Sequence, residues 1–153
     1  MDPYQKITYI LSGNNVQYKE YNHKPIFTLE ESSKINGLNI NSGAKSLLLR
    51  SKNDYYLIVL PGSKRLDSKK LKQKIGTKDL RFASPAEVYE VLGCIVGACY
   101  PFGSFANLRT IIDTAYLDIT DITFNPGIHT KTISMPLLDY LRIENPEQYS
   151  VSV

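Results

Sequence analysis

The sequence predicts an α+β fold: a mixed, curled and barrel-like β-sheet surrounded by short helices, with residues 1–153 forming a single domain. Three features predict it. Helix-capping residues recur ahead of short segments of helical period in the first part of the chain. Two apolar runs face each other across a turn at Ser51-Lys52-Asn53-Asp54. Beyond Gly103 the pattern becomes mainly that of strands.

Asp2 caps a first helix, Pro3 suits its opening turn, and Tyr4, Ile7, Ile10 and Leu11 recur at helical spacing before Gly13-Asn14-Asn15 stops it. Val16–Tyr21 alternates as a strand. Thr28, with Glu30 and Glu31 after it, reads as the cap and first turn of a short helix ending near Gly37. Ala44–Arg50 and Tyr55–Leu60 form a hairpin whose second strand is broken by Pro61-Gly62. Asp67 caps a helix that turns Leu71 and Ile75 inward, leaves Lys69, Lys70 and Lys72 in water, and ends at Gly76. Leu80–Ala83 is a short strand, and Ser84-Pro85 with Glu87 starts a helix with Val88, Val91 and Leu92 inward. Further strands are expected at Thr110–Asp113, Ala115–Leu117, Ile122–Phe124 and Thr130–Met135, with Asn125-Pro126-Gly127 as a turn. Pro136 opens a last helix, Leu137–Ile143, and the tail beyond Asn145 is expected to fray.

Apolar residues at 42% and charged residues at 22% fit one globular core. No apolar run is long enough for a bilayer, and M-D-P-Y-Q-K lacks a basic-then-apolar signal pattern, so a cytoplasmic protein without a membrane partner is expected. Cys94 and Cys99 share one apolar segment, which suits neither a disulfide framework nor zinc and predicts a reduced protein. The charge is unevenly placed. Gly62–Arg81 carries eight basic and two acidic residues, whereas Ala83–Val153 carries three basic and eight acidic. A basic stretch that includes Lys64, Arg65, Lys69, Lys70 and Lys72 is either the footprint of a polyanion partner or a solvated lysine-rich helix.

Val91–Gly103, V-L-G-C-I-V-G-A-C-Y-P-F-G, is the stretch around which the chain is organised. Gly97 lets a ligand approach the main chain and Pro101 stiffens the exit from the turn, a backbone wall whose N–H groups suit an oxyanion. An ordinary Gly/Pro turn after a buried segment has the same signature. Lys45 begins an apolar strand, where an ammonium either reaches a pocket or anionic partner or extends into solvent. His129, just after the Asn-Pro-Gly turn, is a candidate base or substrate donor, while His23 before Pro25 reads as structural. Cys99 as a nucleophile lacks any histidine placed beside it by the sequence. Carboxylate pairs, a P-loop, a dinucleotide fingerprint and metal-spaced clusters are all absent from the sequence. What remains suits polarising a carbonyl and binding an anion.

In order, H-K-P-I-F-T-L-E-E, A-K-S-L-L-L-R, Y-Y-L-I-V-L-P-G-S-K-R-L-D, L-R-F-A-S-P-A-E-V, G-A-C-Y-P-F-G and N-P-G-I-H-T-K-T-I resemble the YbaK and prolyl-tRNA-synthetase-associated editing domains. The resemblance runs from about Val16 to Leu141 and is nearest to the free-standing members called ProX. It implies a trans-editing deacylase that hydrolyses the ester of a mischarged tRNA, chiefly alanine- or cysteine-charged proline tRNA. It further implies no metal or other cofactor, and water attack assisted by a tRNA hydroxyl. By position Lys45 matches the family's functional lysine, and Gly97 with Pro101 its glycine-x-x-x-proline loop. Ala98, Cys99, Tyr100, His129 and Thr130 then fall on the substrate pocket, and Lys64, Arg65, Lys69, Lys70 and Lys72 on the tRNA. A prolyl-tRNA synthetase or an elongation factor is a further candidate partner, and a monomer or weak homodimer is expected. Tyr100 departs from the small residue, often serine, usual before Pro-Phe-Gly; turned inward it shrinks the pocket or adds a phenol, turned outward it changes nothing. A non-catalytic tRNA- or synthetase-binding module of the same fold is the alternative.

Overall fold

Capping chemistry sets where the helices begin. In the computed structural model, which describes residues 1–25 and 42–153, Asp2 accepts from the Gln5 N–H at 2.8 Å and Gln5 accepts from the Asp2 N–H at 3.1 Å, starting α1 (Pro3–Gly13). Asp67 accepts from Lys69 and Lys70 N–H to start α2 (Ser68–Ile75), and Ser84 with Glu87 forms a second capping box at α3 (Pro85–Leu92). Pro136 precedes α4 (Leu137–Glu144). The helix expected between Thr28 and Gly37 lies outside the described residues.

The strands are β1 (Lys19–Asn22), β2 (Ala44–Arg50), β3 (Tyr55–Pro61), β4 (Arg81–Phe82), β5 (Arg109–Asp113), β6 (Asp121–Phe124), β7 (Lys131–Pro136) and β8 (Glu147–Tyr149). They form a mixed sheet ordered β4-β2-β3-β5-β8 and an antiparallel one ordered β1-β7-β6. The β2–β3 hairpin pairs Ala44 with Pro61 through Arg50 with Tyr55, as its alternating apolar runs require, while β5 lies parallel to β3 and β8 parallel to β5. An isolated bridge between Gly43 and Thr123 ties the two sheets. The described strands thus form two linked sheets and do not close into a barrel.

Residues alternate between two cores. Leu48, Leu57 and Val59 pack with Ile7 and Leu11 of α1, Val88 and Leu92 of α3, the three-stranded sheet and Tyr140 of α4. Leu49, Ile58 and Leu60 face the other way, onto Leu71 of α2 and Val151. Ile75 and Val91, expected inward, pack only partly buried at the edges of these cores.

Several boundaries differ from expectation. Val16 is buried, but its N–H bonds the Leu11 carbonyl as part of the exit from α1, so β1 starts only at Lys19. Ala115–Leu117 is not a strand; Thr114–Asp118 is a 3₁₀ turn in which Tyr116 alone is fully buried and donates to the Ser42 carbonyl. Three residues were too few to separate the two periods. The hairpin's second strand runs one residue further, through Pro61.

The tail does not fray. β8 extends the sheet, Val151 is buried, and the Asp113 carboxylate accepts from the Val151 and Ser152 N–H groups at 2.9 and 3.3 Å. Asp67 N–H donates to the Val151 carbonyl, and Val153 N–H to the Arg65 carbonyl. Removing a carboxylate that holds two buried amides leaves both unsatisfied. Asp113→Ala is therefore expected to lower stability by about 2–3 kcal/mol in urea unfolding and to speed amide exchange at Val151 and Ser152 first.

Candidate active site and basic face

Lys45 lies second in β2, opposite Leu60, and so shares the α2-facing side of the sheet with Leu47 and Leu49. Its ammonium donates to the Lys64 carbonyl at 2.7 Å. Partial desolvation, and then the Arg65 charge, hold Lys45 below the usual lysine range. Lys64, Arg65, Lys69 and Lys70 are exposed and Lys72 is half-buried. Lys70 Nζ also donates to the Ser152 carbonyl at 3.0 Å, so the tail orders part of this face. Lys45, the turn after β3 and α2 make one cationic surface.

The Gly97 segment is built on the opposite side. Leaving α3, the chain makes a turn closed by the Ala98 N–H on the Ile95 carbonyl at 2.9 Å. Gly97 has φ of 95°, the sign that the third residue of a type II turn requires. Ala98, Tyr100 and Pro101 are buried and Cys99 is half-buried. The aromatic ring of Phe102 anchors the exit, stacked on Phe105 at 5.3 Å and edge-on to Tyr140 at 5.4 Å.

Hydrogen bonds fix the far end of this segment. Tyr140 donates to the Pro101 carbonyl at 2.6 Å. Gly103 N–H donates to Thr110 Oγ1 at 3.0 Å, and that hydroxyl donates to Glu144 at 2.6 Å. Glu144 also accepts from the Ser104 N–H and hydroxyl. Sequence reasoning missed Tyr140, Thr110 and Glu144. Tyr140 carried a faint signal, a hydroxyl among Leu137 and Leu141 on an inward helix face; Thr110 and Glu144 carried none.

Tyr100 turns inward. Its ring is 3% exposed and its hydroxyl donates to the Leu92 carbonyl at 2.6 Å, so the phenol is committed to closing α3. Burial pushes its pKa far above the usual phenol value. The Asn125–Gly127 turn adjoins this ring: a Cβ at Gly127 would lie 3.6 Å from Tyr100 and 2.9 Å from Pro3. His129, half-buried, follows from that turn, with Thr130 exposed beside it. His23 is structural as expected, its Nδ1 paired with the Lys24 carbonyl and its Nε2 with Thr132 Oγ1, each at 2.8 Å.

The candidates therefore fall into two groups, with the β2–β3 ladder between them. Lys45 joins Lys64, Arg65 and α2, whereas Ala98–Pro101 joins, through Tyr100, the turn that leads to His129. Among the described residues no three His, Cys, Asp or Glu side chains converge as metal ligands, and no helix is long and apolar enough to cross a membrane.

Known proteins are similar to this chain over most of its length. The multifunctional Ser/Thr-tRNA deacylase ProXp-y of Escherichia coli is 32% identical over 94% of this chain and 89% of its own. The prolyl-tRNA editing protein ProX of Acetoanaerobium sticklandii is 28% identical over 94% and 91%. A crystal structure provisionally assigned as a trans-editing enzyme for prolyl tRNA synthetase superposes with a TM-score of 0.87 over 100% of this chain and 98% of that one, at 21% identity. The family model for the aminoacyl-tRNA editing domain matches residues 23–143, which include Lys45, the whole Gly97–Pro101 segment and His129; the chain belongs to that family.

Proposed function

We propose that this protein is a trans-editing aminoacyl-tRNA deacylase, acting in the cytoplasm on a mischarged tRNA, with alanine- or cysteine-charged proline tRNA as its substrate. The observation that carries this reading is the editing-domain match over residues 23–143. The 32% identity with a Ser/Thr-tRNA deacylase supports the same reaction class.

In the reaction, water attacks the ester carbonyl joining the amino acid to the terminal adenosine. A tetrahedral oxyanion forms, and it collapses with loss of the ribose oxygen as leaving group. Backbone N–H groups of the Gly97–Pro101 segment stabilise the oxyanion, a contribution of about 3 kcal/mol per donor. A tRNA hydroxyl assists the water. Lys45, with Lys64 and Arg65 beside it, holds phosphate near the 3′ end, and α2 takes the backbone further along. His129 and Thr130 line the acyl pocket with Ala98 and Cys99. Tyr100, buried behind that pocket, limits its depth and favours a small side chain; one methylene is worth about 1–3 kcal/mol in such a choice.

Amino-acid release from a panel of charged tRNAs tests the reading: alanine, cysteine, serine and threonine on proline tRNA, with alanine on its own tRNA as control. Selective release from alanyl- or cysteinyl-proline tRNA is expected. Release of serine or threonine alone would move the substrate assignment, and binding without any release would make the protein a tRNA-binding module.

The basic face makes a separate prediction. Binding of uncharged tRNA is expected to weaken with salt, and each of Lys64→Ala, Lys69→Ala and Lys72→Ala to flatten the slope of log K against log[salt] by about 0.7–0.9. An unchanged slope in all three would move the tRNA to another face.

A further inference from the structure

Two thiols sit inside the segment to which the oxyanion role is given. Cys94 is buried just after α3 and Cys99 is half-buried on the far side of the Gly97 turn. Both are free, and their sulfurs are 3.7 Å apart, with the Cys94 thiol donating to the Cys99 sulfur. A disulfide needs the sulfurs at about 2.05 Å, so from 3.7 Å closure calls for them to approach by about 1.65 Å. The turn between them can supply it: Ile95 and Val96 at its tip are 63% and 51% exposed and unpacked on their outer side.

The chemistry of the pair is asymmetric. The hydrogen bond from Cys94, assisted by the Gly97 N–H, holds the Cys99 thiol below its ordinary range against the opposing effect of burial. Donating to Cys99, together with burial, pushes Cys94 far up. Cys99 is thus the more nucleophilic sulfur and the more exposed residue of the two, and Cys94 is placed to resolve it.

We propose that Cys94 and Cys99 are a reversible, peroxide-oxidisable thiol pair whose disulfide re-sets the Gly97–Pro101 backbone and switches the site off. Cys99 thiolate attacks a peroxide oxygen; the S–O bond forms, the O–O bond breaks, and hydroxide leaves to take up a proton as water. The Cys94 sulfur then attacks Cys99; the S–S bond forms, the S–O bond breaks, and the departing hydroxide takes the Cys94 proton as a second water. Two thiols and one hydrogen peroxide give one disulfide and two waters. A dithiol reductant reverses it by exchange. Because a shift of about 1 Å at reacting groups can cost 100-fold in rate, the oxidised protein is expected to be at least about tenfold slower.

The activity arm rests on the deacylase reading, so the test has two independent readouts. The full chain is treated with hydrogen peroxide, free thiols are alkylated, and intact mass and amide exchange over residues 95–101 are measured. The expected product is about 2 Da lighter, resists alkylation at both cysteines, exchanges differently across the turn, and returns to its starting state with dithiothreitol. Cys94→Ala is expected to show no such loss of mass. Deacylation, where the panel has found a substrate, is expected to fall at least tenfold and recover on reduction. Two alkylatable thiols after peroxide, or oxygen added to Cys99 in place of the disulfide, overturn the pair. A disulfide that leaves both exchange and turnover unchanged overturns the switch. Absence of turnover in the fully reduced protein defeats the deacylase reading instead, and the mass and exchange measurements still decide the pair.

Discussion

Lys45→Ala is expected to slow deacylation about 10- to 100-fold while leaving the fold intact, because loss of a charge-assisted bond to substrate phosphate costs about 1.5–3 kcal/mol. Among the described residues the ammonium bonds the Lys64 carbonyl, and the side chain is only half-buried. Its loss should therefore move unfolding by less than about 1 kcal/mol. The two measurements separate a substrate contact from a structural role. Turnover of Lys45→Ala at the wild-type rate would remove Lys45 from the site. The lowered Lys45 pKa adds a sign. A lysine whose folded pKa is depressed sheds its proton earlier as pH rises, so tRNA affinity should decline on the alkaline side sooner than an ordinary lysine would make it. In Lys45→Ala that component of the decline should disappear.

Gly103→Ala is expected to be strongly destabilising. A Cβ there would lie 2.4 Å from Thr110 Oγ1 and 3.2 Å from Leu57 Cβ, the first on a short side chain and the second fixed by the β3 backbone. Thr110 Oγ1 cannot simply rotate away, since it accepts the Gly103 N–H and donates to Glu144. The cost of overpacking combined with a broken buried hydrogen-bond network is about 3 kcal/mol or more. Denaturant unfolding should show the loss with an unchanged m-value. Deacylation should fall with it, since the same turn carries Pro101. A Gly103→Ala protein of wild-type stability would mean that β5 shifts freely beneath the turn, contrary to the hydrogen bonds that hold it.

What was legible in the sequence was local. Asp2, Asp67 and Ser84 announce their helices because a capping side chain acts on amides two or three residues away. The β2–β3 hairpin is legible because its two runs are neighbours in the chain. The interaction of Cys94 with Cys99 across one turn was not legible, although both residues were visible. Spacing alone cannot say whether two thiols converge. The tail was misread because its order depends on Asp113 and Asp67, far away in sequence, and Ser150-Val151-Ser152 has no periodicity of its own. At the candidate site, Gly97 and Pro101 could be read from residue type. Their supports could not, since Tyr140 and Glu144 reach the turn from a helix that begins 36 residues after Pro101. The same limit explains why the sequence left Tyr100 open between two orientations and why only the position of the Leu92 carbonyl decides between them.

Val153 donates its N–H to the Arg65 carbonyl, and Ser152 pairs with Leu66. Any residues fused after Val153 would begin their path among Arg65, Lys64 and Lys70. An acidic affinity tag placed there competes for the cations assigned to tRNA and mimics a loss of function. A tag ahead of Met1 enters beside Asp2 and the start of α1, away from those lysines. The end chosen for purification is therefore a variable in every binding curve measured on this protein.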